Sequence, residues 1–574
     1  MSQKALCIII AAGIITSASL FAFKQNPGTA IQQKDTRPNI IVILADDLGY
    51  SDLGCYGGEV ETPNLDYLAA EGIRFRSFYN TSRCCPTRAS LLTGIYNHNA
   101  GIGEMTASRV ESGYRGYLTE NTVTLAEVLK TAGYRTAMTG KWHVSNTVEQ
   151  STGEAQLDWL NHKTIYPAFS PLDQYPTNRG FEKYFGTLWG VIDFYDPFSL
   201  VSGTTPITQV PKDYYHTDAI NDTTCEYIRE FSKGDKPFFL YVAQNAPHWP
   251  LQAKNEDIEK YKDTYKAGWD EIRKRRYERM VKMGLIDSRK TELSPPDDAQ
   301  LSWDKNLDKD WDARAMAVHA AMIDAMDQGI GRILRTLKET GELENTLIVF
   351  LSDNGASPED ASAYGPGFDR PSQTREGRKI VYPVKKEVLP GPQTTFASIG
   401  RRWANVANTP YQYAKMESYE GGVRTPMIAY WPRGIKARKG SFIDQLGHIT
   451  DFMKTFVELA NATYPTTYRG HRITPMQGES LVSAFRGLRS AGHEALFNEH
   501  YGARYARYGE WKIVSKSGRD STWHLYKISE DQAEMKDLSR MYPEKVKEMS
   551  RRWLSWAVQN QVFPKPGTPS RAGH

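Results

Sequence analysis

Cysteine is scarce in this chain, five among 574 residues, which is too few for a disulfide scaffold. Charge of one sign is lacking as well. The formal balance is only +4, and no stretch gathers Lys and Arg into the basic face that a nucleic-acid binder needs. Charged residues at 24% and apolar residues at 40% leave nothing that calls for disorder. Neither an internal repeat nor a low-complexity tract is found. These absences leave a globular protein with no expected nucleic-acid partner and no stable protein partner, whose mildly basic balance suits an anionic substrate. Its length exceeds one ordinary core, so a large domain with a smaller companion is expected.

What is present begins with a targeting pattern. Lys4 precedes an apolar run from Ala5 to about Phe23, with Ser17, Ala18 and Ser19 as small residues near a cleavage point. Residues 1–24 therefore read as a signal peptide that directs export to the periplasm or beyond. An uncleaved anchor is the alternative, since the run is about long enough to span a bilayer. Cys7 lies too early in the run for a lipidated cysteine. A polar linker, 25–37, leads into a main domain at 38–464, and 465–574 form a smaller C-terminal subdomain.

Asn39–Ala45 is a continuous apolar run, the pattern of a strand buried on both faces. Similar runs lie at Phe238–Ala243, Leu347–Leu351 and Met427–Trp431. Between them Met322, Met326, Ile330, Leu334 and Leu337 recur at helical spacing, and Gly341 ends the pattern. Strands alternating with helices predict an α/β domain built on a large, mainly parallel sheet. Residues 356–410, rich in Gly, Pro, Ser and charge, read as a long surface insertion bordering the site. Short alternating segments at Trp511–Val514 and Trp523–Tyr526, then a helix at about 544–558, predict an antiparallel sheet with a helix in the C-terminal α+β subdomain.

Active sites of parallel sheets lie beyond the strand carboxyl ends, and the chemically loaded residues fall there. Asp46 and Asp47 follow the first run, His248 follows the second, and Asp353 and Asn354 follow the third. The three carboxylates and one amide are all oxygen donors, which suit a hard divalent cation, calcium before magnesium. Taken singly, each of these elements has a plain structural reading as a cap, a turn or a packed ring. It is their joint occurrence that argues for chemistry.

Cys84-Cys85-Pro86-Thr87-Arg88, within RCCPTRASLLTG, resembles the signature of the type I sulfatases, in which the first cysteine becomes formylglycine. The resemblance extends to ILADDLGY, to Gly140-Lys141-Trp142-His143, to LSDNGA and to KMESYEGGVRTP. The stretches AGWDEIRKRRYERMVKMGLI, GRRWANVANTPYQYAK and WKIV…WHLYKI are similar to bacterial arylsulfatases. It implies an alkaline-phosphatase-like fold and a catalytic sulfatase domain at 38–464. It also implies one calcium held by Asp46, Asp47, Asp353, Asn354 and the processed side chain of Cys84, and a formylglycine-generating maturation enzyme as a transient partner.

By the same resemblance Arg88 steadies the hydrated aldehyde, Lys141 and Lys415 contact sulfate, His143 takes a proton from the aldehyde hydrate, and His248 protonates the leaving alcohol. The chemical need for the modification is plain. A covalent sulfate ester on a simple alkoxide is slow to hydrolyse at sulfur, whereas a hydrated aldehyde attacks with one hydroxyl and expels sulfate by collapse of the other. Pro86, near the start of the next helix, presets helical φ and leaves the helix N-terminus facing an anion. Cys85 occupies a variable position usually held by small residues and leaves a thiol beside the site.

The expected substrates are sulfated saccharides and aryl sulfates. The alternatives are a phosphomonoester or phosphonate hydrolase of the same superfamily and a non-catalytic glycan-binding protein. Trp142, Trp189, Tyr195 and Trp249 are candidate walls for a sugar or aryl group, with Asn97 and His98 shortly after the catalytic helix.

Overall fold

Eleven strands build the main sheet of the computed structural model, which describes residues 35–164, 168–296, 302–490, 492–516 and 522–566. They are β1 (Asn39–Ala45), β2 (Ile73–Tyr79), β3 (Arg135–Gly140), β4 (Lys183–Thr187), β5 (Leu200–Ser202), β6 (Thr205–Pro206), β7 (Phe238–Ala243), β8 (Thr346–Ser352), β9 (Arg424–Tyr430), β10 (Ser441–Ile443) and β11 (Gly447–His448). The expected signal peptide, and the linker as far as residue 34, lie outside the described residues. Among the described residues no helix is long and apolar enough to cross a membrane.

The spatial order is β10-β2-β9-β8-β1-β7-β3-β4-β5-β6, with β11 also against β2. The centre, β8-β1-β7-β3-β4, is parallel. The sheet is nevertheless mixed. β9 runs antiparallel between β2 and β8, and β5 and β6 fold back on β4 as an antiparallel edge. The expectation of a mainly parallel sheet thus holds for the core that carries the site. The run at Met427–Trp431 is the antiparallel exception, because an apolar strand buried on both faces reads the same in either direction.

Alternation within β1 explains its unbroken apolar sequence. Ile41 and Ile43 pack into one layer, with the long helix Lys309–Glu339 and the helix His216–Phe231. Ile40, Val42 and Leu44 face the other layer, with the helices Cys84–Thr93 and Asp451–Leu459. With both faces covered, neither set of side chains reaches water. The helical spacing at Met322–Leu337 marks only the second half of Lys309–Glu339, whose first half is also buried.

The C-terminal part adds the hairpin β12 (Thr467–Tyr468) and β13 (His471–Arg472). It then forms an antiparallel sheet of β14 (Ala495–His500), β15 (Ala503–Tyr508), β16 (Trp511–Ser515) and β17 (His524–Lys527), covered by the helix Pro543–Gln559. A fully buried cation ties it to the main sheet: Lys512 Nζ lies 2.7 Å from Glu420 and 2.8 Å from Glu534. The 356–410 segment departs from the expected surface insertion. Ile380, Phe396, Trp403 and Val406 are buried, and the helix Gly400–Ala407 packs into the core, so only part of the segment is peripheral.

Candidate active site

Register sets the site. Ala45 of β1 pairs with Ser352 of β8, Leu44 pairs with Ala243 of β7, and Ala243 pairs with Gly140 of β3. Four neighbouring parallel strands therefore end level, and the residues that follow them emerge side by side. Asp46 and Asp47 come from β1, Asp353 and Asn354 from β8, Lys141 and His143 from β3, and His248 from the loop after β7. Asp47 and His143 adopt left-handed φ values of 64° and 53°. Such conformations cost of order 1–3 kcal/mol each in non-glycine residues and cluster at functional sites.

Cys84 opens the helix Cys84–Thr93, with Arg83 extended before it. Pro86 is the third helical residue, where its missing N–H leaves no intrahelical bond unmade. The helix stops at Gly94, whose φ is 69° and where an added Cβ would stand 2.3 Å from the Met453 Cβ. The four described cysteines, Cys55, Cys84, Cys85 and Cys225, are free thiols. Cys84, Cys85 and His143 bring their sulfur and nitrogen atoms within 4.8 Å of one another. A hydrogen bond from Cys85, with Lys141 and His143 nearby, holds the Cys84 thiol well below its usual pKa against the opposing effect of burial. Burial and the Cys84 charge push Cys85 up.

A buried lattice of charges surrounds them. Arg88, fully buried, donates to Asp353 Oδ2 at 2.8 Å and to the Lys141 carbonyl at 2.9 Å, and lies 3.7 Å from Asp46 Oδ1. Lys141 donates to Asp46 Oδ2 at 2.5 Å. Lys415 donates to Asp47 Oδ2 at 2.9 Å and sits 3.2 Å from His248 Nε2, which is itself 3.3 Å from Asp47 Oδ2. The Asn354 amide donates to Asp47 Oδ1 at 2.6 Å. The residues expected to hold the cation or to act on the ester are thus brought into one cluster.

Burial would raise the Asp46 carboxyl, but Lys141, His248 and Arg88 outweigh it and hold it at about 2. Asp353 goes the other way, raised by burial and by the Asp46 charge. Asp46 Oδ1 and Asn354 Oδ1 are buried without hydrogen-bond partners. Crowded carboxylates with orphaned oxygens are what a hard cation would satisfy, so Asp46, Asp47, Asp353 and Asn354 fit a calcium ion. Asp46, Asp47 and His248 also come within ligand distance of one another. Burial lowers His143 to about 4, leaving it neutral near pH 7, and its Nδ1 has no partner.

Above the cluster opens a cleft of about 300 Å³, lined by Cys84, His143, His248 and Lys415 on its floor. Its walls hold two stacked pairs, Trp249 on Tyr364 (5.5 Å, 20°) and Trp189 on Phe368 (5.7 Å, 22°). Trp189 and Trp249 line it as expected. Trp142 does not, being fully buried with its indole N–H on the Gln174 carbonyl. Tyr195 borders a separate cavity of about 510 Å³. His98 is buried against Glu499 at 3.0 Å, and Asn97 bonds the Ile102 carbonyl, so both serve the core. Arg83, Glu359, Tyr364, Phe368, Asp369 and Arg370 line the cleft without having been singled out in the sequence. All but Arg83 lie in the irregular 356–410 segment, where no periodicity assigns a face; its expected place beside the site was the one available signal.

This architecture, with acids and cations at the ends of a central parallel sheet and an antiparallel C-terminal subdomain, is the alkaline-phosphatase-like fold. Residues 38–462 match the sulfatase family, and residues 411–554 match the family described as N-sulphoglucosamine sulphohydrolase, C-terminal. The chain belongs to the sulfatase family, and it is a sulfatase, an enzyme that hydrolyses sulfate esters. It is 32% identical to an uncharacterised sulfatase of Schizosaccharomyces pombe, over 93% of this chain and 96% of that one. It is 33% identical to an arylsulfatase of Klebsiella aerogenes, over 79% and 93% respectively. Among solved structures it superposes with a TM-score of 0.63 and 23% identity on Ps i-CgsB in complex with k-i-k-neocarrahexaose, covering 93% of this chain and 95% of that one. The family and its arylsulfatase relative support sulfate-ester hydrolysis.

Proposed function

We propose that this sulfatase cleaves sulfate monoesters of carbohydrates, and aryl sulfates, with formylglycine made from Cys84 and one bound calcium. The observation that carries this reading is the convergence of Cys84 with Arg88, Lys141, Lys415, His143 and His248 at the base of one cleft, over three carboxylates. When formed, hydrated formylglycine supplies one hydroxyl to attack sulfur and a second that lets sulfate leave without water attacking sulfur. When bound, calcium would supply positive charge to the site, and Asp46, Asp47, Asp353, Asn354 and the side chain at position 84 would hold it.

The chain's own residues do the rest. Lys141 and Lys415 bind the sulfate oxygens and, with Arg88, meet the charge of the transition state with fixed cations in a water-poor site. Lys415 and His248 stand together on the leaving-group side. His248 directs Nδ1 at the Trp249 carbonyl, 2.6 Å away. A carbonyl only accepts, so Nδ1 keeps one proton; in the imidazolium form the second proton sits on Nε2, beside the Asp47 carboxylate, and Nε2 is the atom that passes it to the departing oxygen, leaving the neutral ring. His143, neutral and with Nδ1 unpartnered, takes the proton of the remaining hydroxyl at position 84. The stacked aromatic walls suit the flat face of a sugar or an aryl ring.

The carbohydrate reading draws on the relatives: Ps i-CgsB was solved with a neocarrahexaose, and another neighbour with its substrate D-glucosamine-2-N,6-O-disulfate. Export, with maturation by a formylglycine-generating enzyme, belongs to the same proposal. Turnover on a panel of singly sulfated saccharides, beside nitrophenyl sulfate and nitrophenyl phosphate, tests it. Sulfate release from at least one saccharide, with phosphate ester left nearly intact, is expected; release from the aryl ester alone would reject the carbohydrate assignment.

A further inference from the structure

Lys415 is buried between two carboxylates, and only one of them belongs to the charge lattice under the cleft. Asp47 approaches from the floor. The other is Glu359, five residues beyond Asn354, which reaches in from the cleft wall with Oε2 at 3.3 Å from Lys415 Nζ. The same oxygen accepts the Trp249 indole N–H at 2.8 Å and the Ser357 hydroxyl at 3.0 Å. Oε1 faces Arg83 Nη2 at 3.3 Å. One carboxylate thus joins the lysine on the leaving-group side, an aromatic wall of the cleft, and the arginine that immediately precedes the nucleophile.

We propose that Glu359 is a positioning residue for the departing alcohol, fixing the Lys415 ammonium beside the bridging ester oxygen and holding Trp249 as the wall against which the alcohol packs. This rests on the role given above to Lys415. Asp47 cannot perform the task alone, because its Oδ2 also faces His248 and its carboxylate is a candidate cation ligand. Glu359 is the partner that no cation would draw away. A flexible four-carbon side chain without it has several rotamers open to it, and a displacement of about 1 Å at such a group can cost about 10²-fold in rate. Burial alone would raise the Glu359 carboxyl, but Lys415, Arg83 and His248 hold it well below the usual range.

Full-length matured enzyme carrying Glu359→Gln, Glu359→Asp or Lys415→Ala, assayed on aryl sulfates whose phenols span a wide range of acidity, tests the proposal, with a thermal melt of each variant. Glu359→Gln should lose kcat by a factor that grows as the phenol becomes a poorer leaving group, reaching about 10²-fold for the poorest. Glu359→Asp should recover part of that loss, and the melts should stay close to wild type. Equal losses across the series, a loss confined to KM, or no recovery with Asp would overturn the proposal while leaving the function intact. A Lys415→Ala series that is itself flat would instead overturn the role of Lys415, and this inference with it.

Discussion

Asp353 accepts the backbone N–H of Asp47 on Oδ1 at 3.2 Å while its Oδ2 takes the Arg88 guanidinium at 2.8 Å. This carboxylate from β8 therefore locks the loop after β1 to the helix that begins with Cys84. The acids of the proposed cation site and the cations Arg88, Lys141 and Lys415 form one unit, and perturbing either should disturb both.

The first consequence concerns the cation. Asp46 and Asp353 oppose each other electrostatically, so a bound calcium should stabilise the fold as well as activate it. At a free concentration about 100 times Kd, binding stabilises by about 2.7 kcal/mol. Chelation should lower the melting temperature and abolish turnover, and calcium should restore both. A melting temperature indifferent to chelator and calcium would refute the site.

His248→Ala should slow esters of poor leaving groups far more than nitrophenyl sulfate, since a good leaving group needs no proton. General acid catalysis contributes typically about 10²–10⁴-fold. Equal losses on good and poor leaving groups would remove His248 from the acid role.

Gly190 packs against the His143 ring, and an added Cβ would fall 2.4 Å from His143 Cε1. Gly190→Ala should move that ring and reduce kcat by about 10²-fold with little change in melting temperature. Unchanged kcat would mean that the position of the ring does not matter to turnover.

Two buried carboxylates away from the site contribute to acid stability. Burial would raise Asp52, but Arg276 at 2.7 Å and His319 at 3.2 Å outweigh it and set it at about 2. Burial opposes a hydrogen bond from His98 and the charge of Lys565 at Glu499, also set at about 2. Unfolded carboxyls titrate near about 3.9 and 4.3, so both groups stabilise the fold fully above those values and lose that contribution as pH falls through about 2. The difference in urea midpoint between wild type and Asp52→Asn should be constant from neutral pH to about 5 and shrink from there towards pH 2. Parallel curves for the two proteins would exclude the contribution of Asp52.

The legible part of this protein lies where sequence order and strand ends coincide. Asp46, Asp47, Asp353 and Asn354 directly follow strands whose apolar runs are unmistakable, so their place beyond a parallel sheet needed only the strand-end rule. The direction of β9 was hidden, because burial on both faces erases the alternation that separates strand types. Trp142 was misplaced as a wall because its neighbours Lys141 and His143 face the site while its own ring turns into the core. Glu359 and Phe368 were invisible for another reason: irregular backbone carries no period from which a face is read, and only packing against Trp249 and Trp189 brings them to the cleft.

The central claim is that the reactive group at position 84 is an aldehyde derived from Cys84. Mass measurement of the tryptic peptide Cys84–Arg88 from fully active enzyme tests it most directly. The account predicts the lighter formylglycine peptide, in a fraction that rises in step with specific activity. Fully active protein whose peptide retains both thiols would contradict it.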